Sequence, residues 1–367
     1  MAKKKEKSTD QLSEKAVKVL AHLRKQIITG QLKPGDRFPT RLEMCSKFSL
    51  AAETIQKIFD TLIADGFATA RGMAGTLVAD TPPHLCSYGL VFANQAAGQG
   101  WTRFETAIFN EATALDNGFD PRFHFYRKIS YPSDYQDHSI LIEDVRASRV
   151  AGLIFVNPPV RNTIDQIQTE APGIPCVGIM TQPMPSVPAV NLVGMTDKVM
   201  SYLFNRGRRR VAFLSNSNFG RLTEQFEQSL LAEMRAHGLS TKPEWMQQVH
   251  LDYPAAARNL TRLLFSHPED RPDAFFISDD NLVEPASIGM LDAKVRVPED
   301  VEVIAHCNFP WPTPSAVLCQ RIGYDAREII TTCIDLIHRI RKNENVPSIT
   351  SVPPRFAEEL KRTTLDG

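Results

Sequence analysis

This 367-residue chain has no net charge, and it has little of what staples or anchors a protein. It has six cysteines, three tryptophans and no apolar run near the ~18 residues of a membrane-spanning helix. Cys45, Cys86, Cys176, Cys307, Cys319 and Cys333 are scattered and form no C-x-x-C pair. That excludes a disulfide framework and reads as reduced, mostly buried thiols. His306-Cys307 alone does not make a metal site, so neither a metal nor a cofactor is expected. G-x-S-x-G, P-loop and H-E-x-x-H motifs are also missing. Gly98-Gln99-Gly100 follows an expected strand as a dinucleotide fingerprint would, but Arg103 stands where the third glycine belongs. The chain is therefore not expected to be an enzyme. MAKKKEKSTD is basic and is followed by polar sequence rather than a signal-peptide core, so a cytoplasmic protein with no membrane partner is expected.

The zero net charge hides an asymmetry. Residues 1–80 hold 14 Lys+Arg against 9 Asp+Glu, and the remainder holds 28 against 33. A positive module on a negative body points to a polyanion partner for the module alone. Lys3, Lys4, Lys5 and Lys7 by themselves read as a solvated, disordered tail over 1–11.

Leu12, Ala16, Val19, Leu20, Leu23 and Ile27 recur at helical spacing, which predicts a helix over 11–29 ended by Gly30. Thr40-Arg41-Leu42-Glu43 has the capping-box pattern and starts a helix over 41–47. A third helix is expected over 52–64. Two short strands, Phe67–Arg71 and Thr76–Val78, flank a wing at Gly72–Gly75. A helix–turn–helix lets one helix enter a major groove while the other braces it. The turn Leu32-Lys33-Pro34-Gly35-Asp36-Arg37-Phe38-Pro39-Thr40, with Thr54-Ile55, Asp65-Gly66 and Gly75-Thr76-Leu77-Val78, resembles the GntR-type winged-helix signature over residues 12–79. The resemblance implies DNA contacts at Arg41, Glu53, Thr54, Gln56, Lys57, Arg71 and Gly72. It departs at Ala51-Ala52, where the family carries groups that bond phosphate or base edges, so an altered operator or weaker binding is expected.

Residues 80–86, with Pro82-Pro83, read as a short, stiff, extended linker. From Ser87 strands and helices alternate, about ten strands in all. This is the pattern of an α/β body with parallel sheets, whose ligands bind at the carboxyl ends of strands. Val317–Cys319 reads as a strand that crosses back. Three stretches, Gly207–Leu214, Arg271–Phe276 and Val297–Ile304, resemble the effector domain of LacI/GalR-type regulators, which has the periplasmic-binding-protein-like fold. The resemblance implies a two-lobed effector-binding and dimerisation domain over 87–367. Lobe one is expected at 87–190 plus 321–345, and lobe two at 191–320 plus 346–367.

The same resemblance implies effector contacts from Asn94, Gln95, Trp101, Arg221, Trp245, Asp280, Asn308 and Gln320. Carboxylates of the family are replaced near Thr181, Asn191 and Cys307-Asn308, which favours a modified or acidic sugar or a nucleoside-like ligand. Arg206–Arg210 reads as a turn entering a strand rather than a nucleic-acid patch. The expected function is a homodimeric transcription repressor that binds double-stranded DNA and is released by a small-molecule effector held between the lobes. A sensor that has lost sequence-specific DNA binding and, less readily, an enzyme using the α/β cleft remain as alternatives.

Overall fold

Apolar spacing decides the first elements of the computed structural model, which describes residues 12–94, 100–129, 136–159, 161–218 and 221–363, with side chains left aside at 136, 221–226 and 361–363. Helices α1 (Glu14–Ile28), α2 (Arg41–Phe48) and α3 (Ala52–Ala64) precede β1 (Ala68–Ala70) and β2 (Thr76–Val78). The two strands are antiparallel around a 3-10 turn at Gly72–Ala74. Ala16, Val19, Leu20, Leu23 and Ile27 bury one stripe of α1 against Ile55, Ile58, Phe59 and Leu62 of α3. The capping box forms: Glu43 N–H donates to the Thr40 hydroxyl, while Thr40 N–H donates to the Glu43 carboxylate at 2.7 Å.

One helical turn, α4 (Pro83–Cys86), follows, so the segment expected to be wholly extended is extended only up to Pro82. Proline at a first helical position loses no intrahelical bond, which is why Pro82-Pro83 starts this turn rather than preventing it. Next come β3 (Ser87–Val91), α5 (Arg103–Leu115), β4 (Arg122–Tyr126), α6 (Gln136–Arg146), β5 (Gly152–Phe155) and α7 (Arg161–Glu170). Then follow β6 (Cys176–Ile179), β7 (Ala189–Leu192), α8 (Met195–Asn205), β8 (Val211–Asn216), α9 (Arg221–Ala236) and β9 (Met246–Val249). The chain continues through α10 (Ala256–Leu264), β10 (Ala274–Ile277), α11 (Val283–Asp292), β11 (Glu302–Phe309) and β12 (Gln320–Asp325). It closes with α12 (Ala326–Arg341), β13 (Ile349–Val352), β14 (Arg355–Phe356) and α13 (Ala357–Thr363).

The chain divides into two units. Unit 1 comprises Met1–Val91, Leu115–Ile154 and Pro159–Cys176. In it one polar network joins the winged helix to α6 and β4. Asp65, the C-cap of α3, pairs with Arg24 of α1 and with Arg149 at 2.8 Å. Arg149 also holds Asp144 at 2.9 Å, and Tyr126 donates to Asp144 at 2.6 Å. The Phe67 ring stacks on His84 with centroids 5.9 Å apart.

Unit 2 comprises Phe92–Ala114, Phe155–Pro158 and Val177–Gly367. Its main sheet has the order β14-β12-β11-β10-β8-β9, parallel except for the short β14. Strand alternation sends Ala212, Leu214, Phe275, Ile277, Val303 and Ala305 to one face. Residues Ala257, Ala286 and Met290 of α10 and α11 cover them there. Val211, Phe213, Ala274, Phe276 and Ile304 point the other way, onto Val199 and Leu203 of α8 and Leu230 and Met234 of α9. With both faces covered, the strands read as continuous apolar runs. At Gly323 a Cβ would stand 1.6 Å from the Cys307 carbonyl oxygen, so only glycine lets β12 lie this close to β11.

Strand pairing departs from the expected lobe division at two points. β12 pairs with β11, and β13 pairs with β7. The return strand also begins at Gln320, after the expected Val317–Cys319. Each outcome depends on which backbone a segment hydrogen-bonds, which local pattern does not encode.

Candidate functional site

Unit 2 contains a cavity of about 570 Å³, a size usual for small-molecule sites. It gathers residues that follow the carboxyl ends of parallel strands: Asn157 after β5, Asn216 and Asn218 at β8, and Ser278–Asn281 after β10. Asn191 of β7, His306 and Asn308 of β11 and Tyr324 of β12 complete that side. Asn94, beyond the end of β3, and Trp101 and Glu105, at the start of α5, also line it.

Most of these groups are held before any ligand arrives. Asn94 donates to the Gly100 carbonyl at 2.9 Å and to Glu105 at 3.3 Å. Glu105 accepts from Thr102 N–H at 2.6 Å and so caps α5. The Trp101 indole donates to Thr106 at 2.8 Å, and its ring packs on Phe92 with centroids 5.0 Å apart. Asp279 accepts from Asn216 at 2.5 Å and from the Asn281 side chain at 2.8 Å. Asn281 in turn accepts from Arg103 N–H at 3.1 Å, tying α5 to this loop.

Asp280 differs. It is 2 % exposed and accepts from Asn308 at 2.7 Å through one oxygen. Its other oxygen lies 3.9 Å from His306 Nδ1, which has no hydrogen-bond partner among the described residues. Burial pushes the Asp280 carboxyl above the usual range, and the nearby His306 only partly offsets this.

Of the effector residues expected from sequence, Asn94, Trp101, Asp280 and Asn308 come together here. Gln95 and the Arg221 side chain lie outside the described residues. Trp245 is not at the cavity: it is 4 % exposed and packs in the core with Leu214 and Val249, with Lys242 over its ring. A large aromatic is worth more buried than exposed, and burial alone accounts for it. Gln320 instead faces Glu358 at 3.3 Å, from β12 toward α13.

Sequence reading missed His306, Asn157, Asn216, Asn218 and Tyr324 as lining residues. The available signal was their place at or beyond strand ends, where ligands of α/β sheets bind. Arg206 and Arg208 pair with the buried Glu302, and Arg210 with Asp273, as a turn entering a strand would have it.

On the winged helix, Arg41 opens α2, and Glu53, Thr54, Gln56 and Lys57 lie in the first turns of α3. Arg41, Glu53 and Gln56 are exposed, and Gln56 donates to Asp60 at 2.8 Å. Arg71 pairs with Asp80 at 2.9 Å beside the wing, where Gly72 has φ +49. Ala51 caps α3 without a side-chain hydrogen bond, so the first backbone N–H groups of that helix keep no side-chain cap.

Asp197, Glu233 and His237 bring one ligand atom each within 4.8 Å of one another. His237 Nε2 lies 3.0 Å from the Ser201 hydroxyl and Nδ1 lies 2.9 Å from the Glu233 carbonyl, so the ring is already held by the protein. Among the described residues, no helix is long and apolar enough to cross a membrane.

A curated relative, an arabinose metabolism transcriptional repressor of Halalkalibacterium halodurans, is 21 % identical over 364 residues, covering 91 % of this chain and 93 % of the relative. The HTH-type transcriptional repressor PurR of Aliivibrio fischeri is 25 % identical over 124 residues, 33 % of this chain and 37 % of that one. A LacI family transcriptional regulator of Lactobacillus casei, solved with bound sucrose, superposes with a TM-score of 0.56 at 16 % identity, over 74 % of this chain and 97 % of that one. Its glucose-bound form gives 0.55 at 16 % identity and the same coverage. Residues 15–78 match the model of bacterial regulatory proteins of the gntR family and residues 200–358 that of the periplasmic binding protein-like domain, so the chain joins a gntR-family winged helix to a periplasmic-binding-protein-like α/β body.

Proposed function

We propose that this chain is a transcription repressor that binds a double-stranded operator through its winged helix and answers to a sugar-like effector held in the unit 2 cavity. The carrying observation is the winged helix-turn-helix matched over residues 15–78, with exposed Arg41 and Gln56 at the starts of its second and third helices. The uncapped first turn of α3 suits this role. Free backbone N–H groups at a helix start receive phosphate, so Ala51-Ala52 removes side-chain readout without removing a backbone contact. The amide-rich lining supports the effector, because each amide offers both donor and acceptor to hydroxyls. One regulator of the same fold has been solved with bound glucose and with bound sucrose.

A homodimer completes the proposal, since one winged helix makes few base contacts and two-fold pairing reads two half-sites. The effector would favour the state that binds DNA less well.

Fluorescence anisotropy on DNA from the chain's own upstream region tests this reading. Arg41→Ala and Lys57→Ala should each weaken binding across sequences and reduce the salt slope of log K by about 1. Absent or salt-insensitive binding overturns the regulator reading in favour of a sensor without DNA.

A further inference from the structure

We infer that Arg149 is a positioning residue for operator recognition: by holding Asp65 at the end of α3 it makes the winged helix, α6 and β4 one rigid reader, which accepts a single separation between DNA half-sites. This rests on the reading of the chain as a dimeric, operator-binding repressor.

The need for Arg149 begins in α3 itself. The carbonyl end of a helix carries partial negative charge, which basic residues in its last turn offset. α3 has none there, and its C-cap is Asp65, a further negative charge. Arg24 of α1 offsets it from inside the winged helix, and Arg149 offsets it from the body at 2.8 Å. All three side chains are mostly buried, so solvent screens these pairs far less than surface ones.

Arg149 is itself fixed. It follows α6 and the left-handed turn at Ser148, where φ is +56, and its N–H donates to the Asp144 carbonyl at 2.8 Å. Its guanidinium also meets the Asp144 and Glu143 carboxylates, at 2.9 and 3.1 Å. Asp144 accepts in turn from the Tyr126 hydroxyl of β4 at 2.6 Å. A continuous path of paired side chains therefore runs from α3 to β4 within unit 1. Arg122 of β4 makes a second hold. It donates to the Thr81 carbonyl at 3.0 Å, and its guanidinium lies 3.5 Å from where a Cβ on Gly66 would stand, next to Asp65.

Leverage makes the hold matter. The 13 residues of α3 form a rod of ~20 Å, with Asp65 at one end and the DNA-facing start at the other. A tilt of about 10° at Asp65 swings that start by roughly 3.5 Å, enough to break hydrogen bonds to phosphate or base. A winged helix on a loose tether would settle on each half-site separately, whereas one gripped at Asp65 carries its spacing with it.

The test titrates the full chain against DNA from its own upstream region, with and without about 5 bp, half a helical turn, inserted at the centre of the footprint. The native chain should bind the lengthened site roughly 100-fold more weakly, because one half-site is left empty. Arg149→Gln and Asp65→Asn should each narrow that penalty to about ten-fold or less. Arg24→Gln, which loosens Asp65 from inside the winged helix alone, should leave it unchanged. Digestion with proteinase K reads the hold without DNA. The native chain should resist cleavage over 79–86, and Arg149→Gln should be cut there about ten-fold faster. A native chain indifferent to the insertion overturns the inference, as does a penalty or a cleavage rate that Arg149→Gln leaves unchanged. If Arg149→Gln does not fold, Asp65→Asn decides, since it leaves Arg149 with Asp144 and Glu143. If the native chain binds no upstream DNA, the regulator reading itself fails and the positioning role falls with it.

Discussion

Asp144 of unit 1 and Asp280 of unit 2 are buried alike, at 5 % and 2 % exposure, yet their environments treat them in opposite ways. Burial raises both carboxyls. At Asp144 hydrogen bonds from Tyr126 and Arg149, with the His124 imidazole 3.7 Å away, outweigh it and hold the group below its ordinary value. At Asp280 burial prevails, because Asn308 is its one hydrogen-bond donor among the described residues. A buried carboxylate with several donors keeps its charge cheaply, and one with a single donor keeps it at a cost. The first lies in the network that joins the winged helix to α6 and β4, the second in the cavity lining.

The largest effect that would break this comparison is at Asp144. Asp144→Ala leaves the buried Tyr126 hydroxyl without its acceptor and removes one of the carboxylates around Arg149, which keeps Asp65 and Glu143, and should cost about 3 kcal/mol of stability, read as a lowered melting temperature. A loss within experimental error would show that the network is ornamental.

An acid titration sharpens the same point. A group held below its ordinary value contributes stability above the unfolded carboxylate value, ~3.9, and loses it as pH falls through the folded value. The stability difference between the native chain and Asp144→Asn should therefore be full at neutral pH and shrink below about pH 4. A difference that stays constant into acid would remove Asp144 ionisation from the account.

The smallest effect has the opposite sign. Asp280 is raised, so its charge is a burden on the folded state, present as pH climbs through the folded value. Asp280→Asn keeps an acceptor for Asn308 and should stabilise the ligand-free protein at neutral pH by roughly 1 kcal/mol. Thermal denaturation measures it, and a destabilised variant would contradict the account of Asp280 as a carboxylate held at a cost.

Particular residues show how far the sequence could be read. The third helix was expected over 52–64 and spans those residues, because Ile55, Ile58, Phe59 and Leu62 repeat at helical spacing and Asp65-Gly66 stops them. The capping box at Thr40 was equally plain. β7 (AVNL), β9 (MQQV) and β13 (ITSV) were not seen, being four residues each with polar positions that carry no period. Asn94, Trp101, Asp280 and Asn308 were legible through the family pattern. His306 was not, because beside Cys307 it looks like a stray imidazole until β11 is paired with β10.

By itself the sequence determined the three helices of the winged helix and their caps, that the body alternates strand and helix, and that the first eighty residues carry a net positive charge. These are properties of neighbours along the chain: spacing, caps and composition. Tertiary structure alone decided that Trp245 is core, that β12 pairs with β11 and β13 with β7, and that one oxygen of Asp280 is left facing His306. Those outcomes depend on which distant backbones share hydrogen bonds, and on whether a buried polar atom finds its partner, neither of which any local stretch of sequence contains.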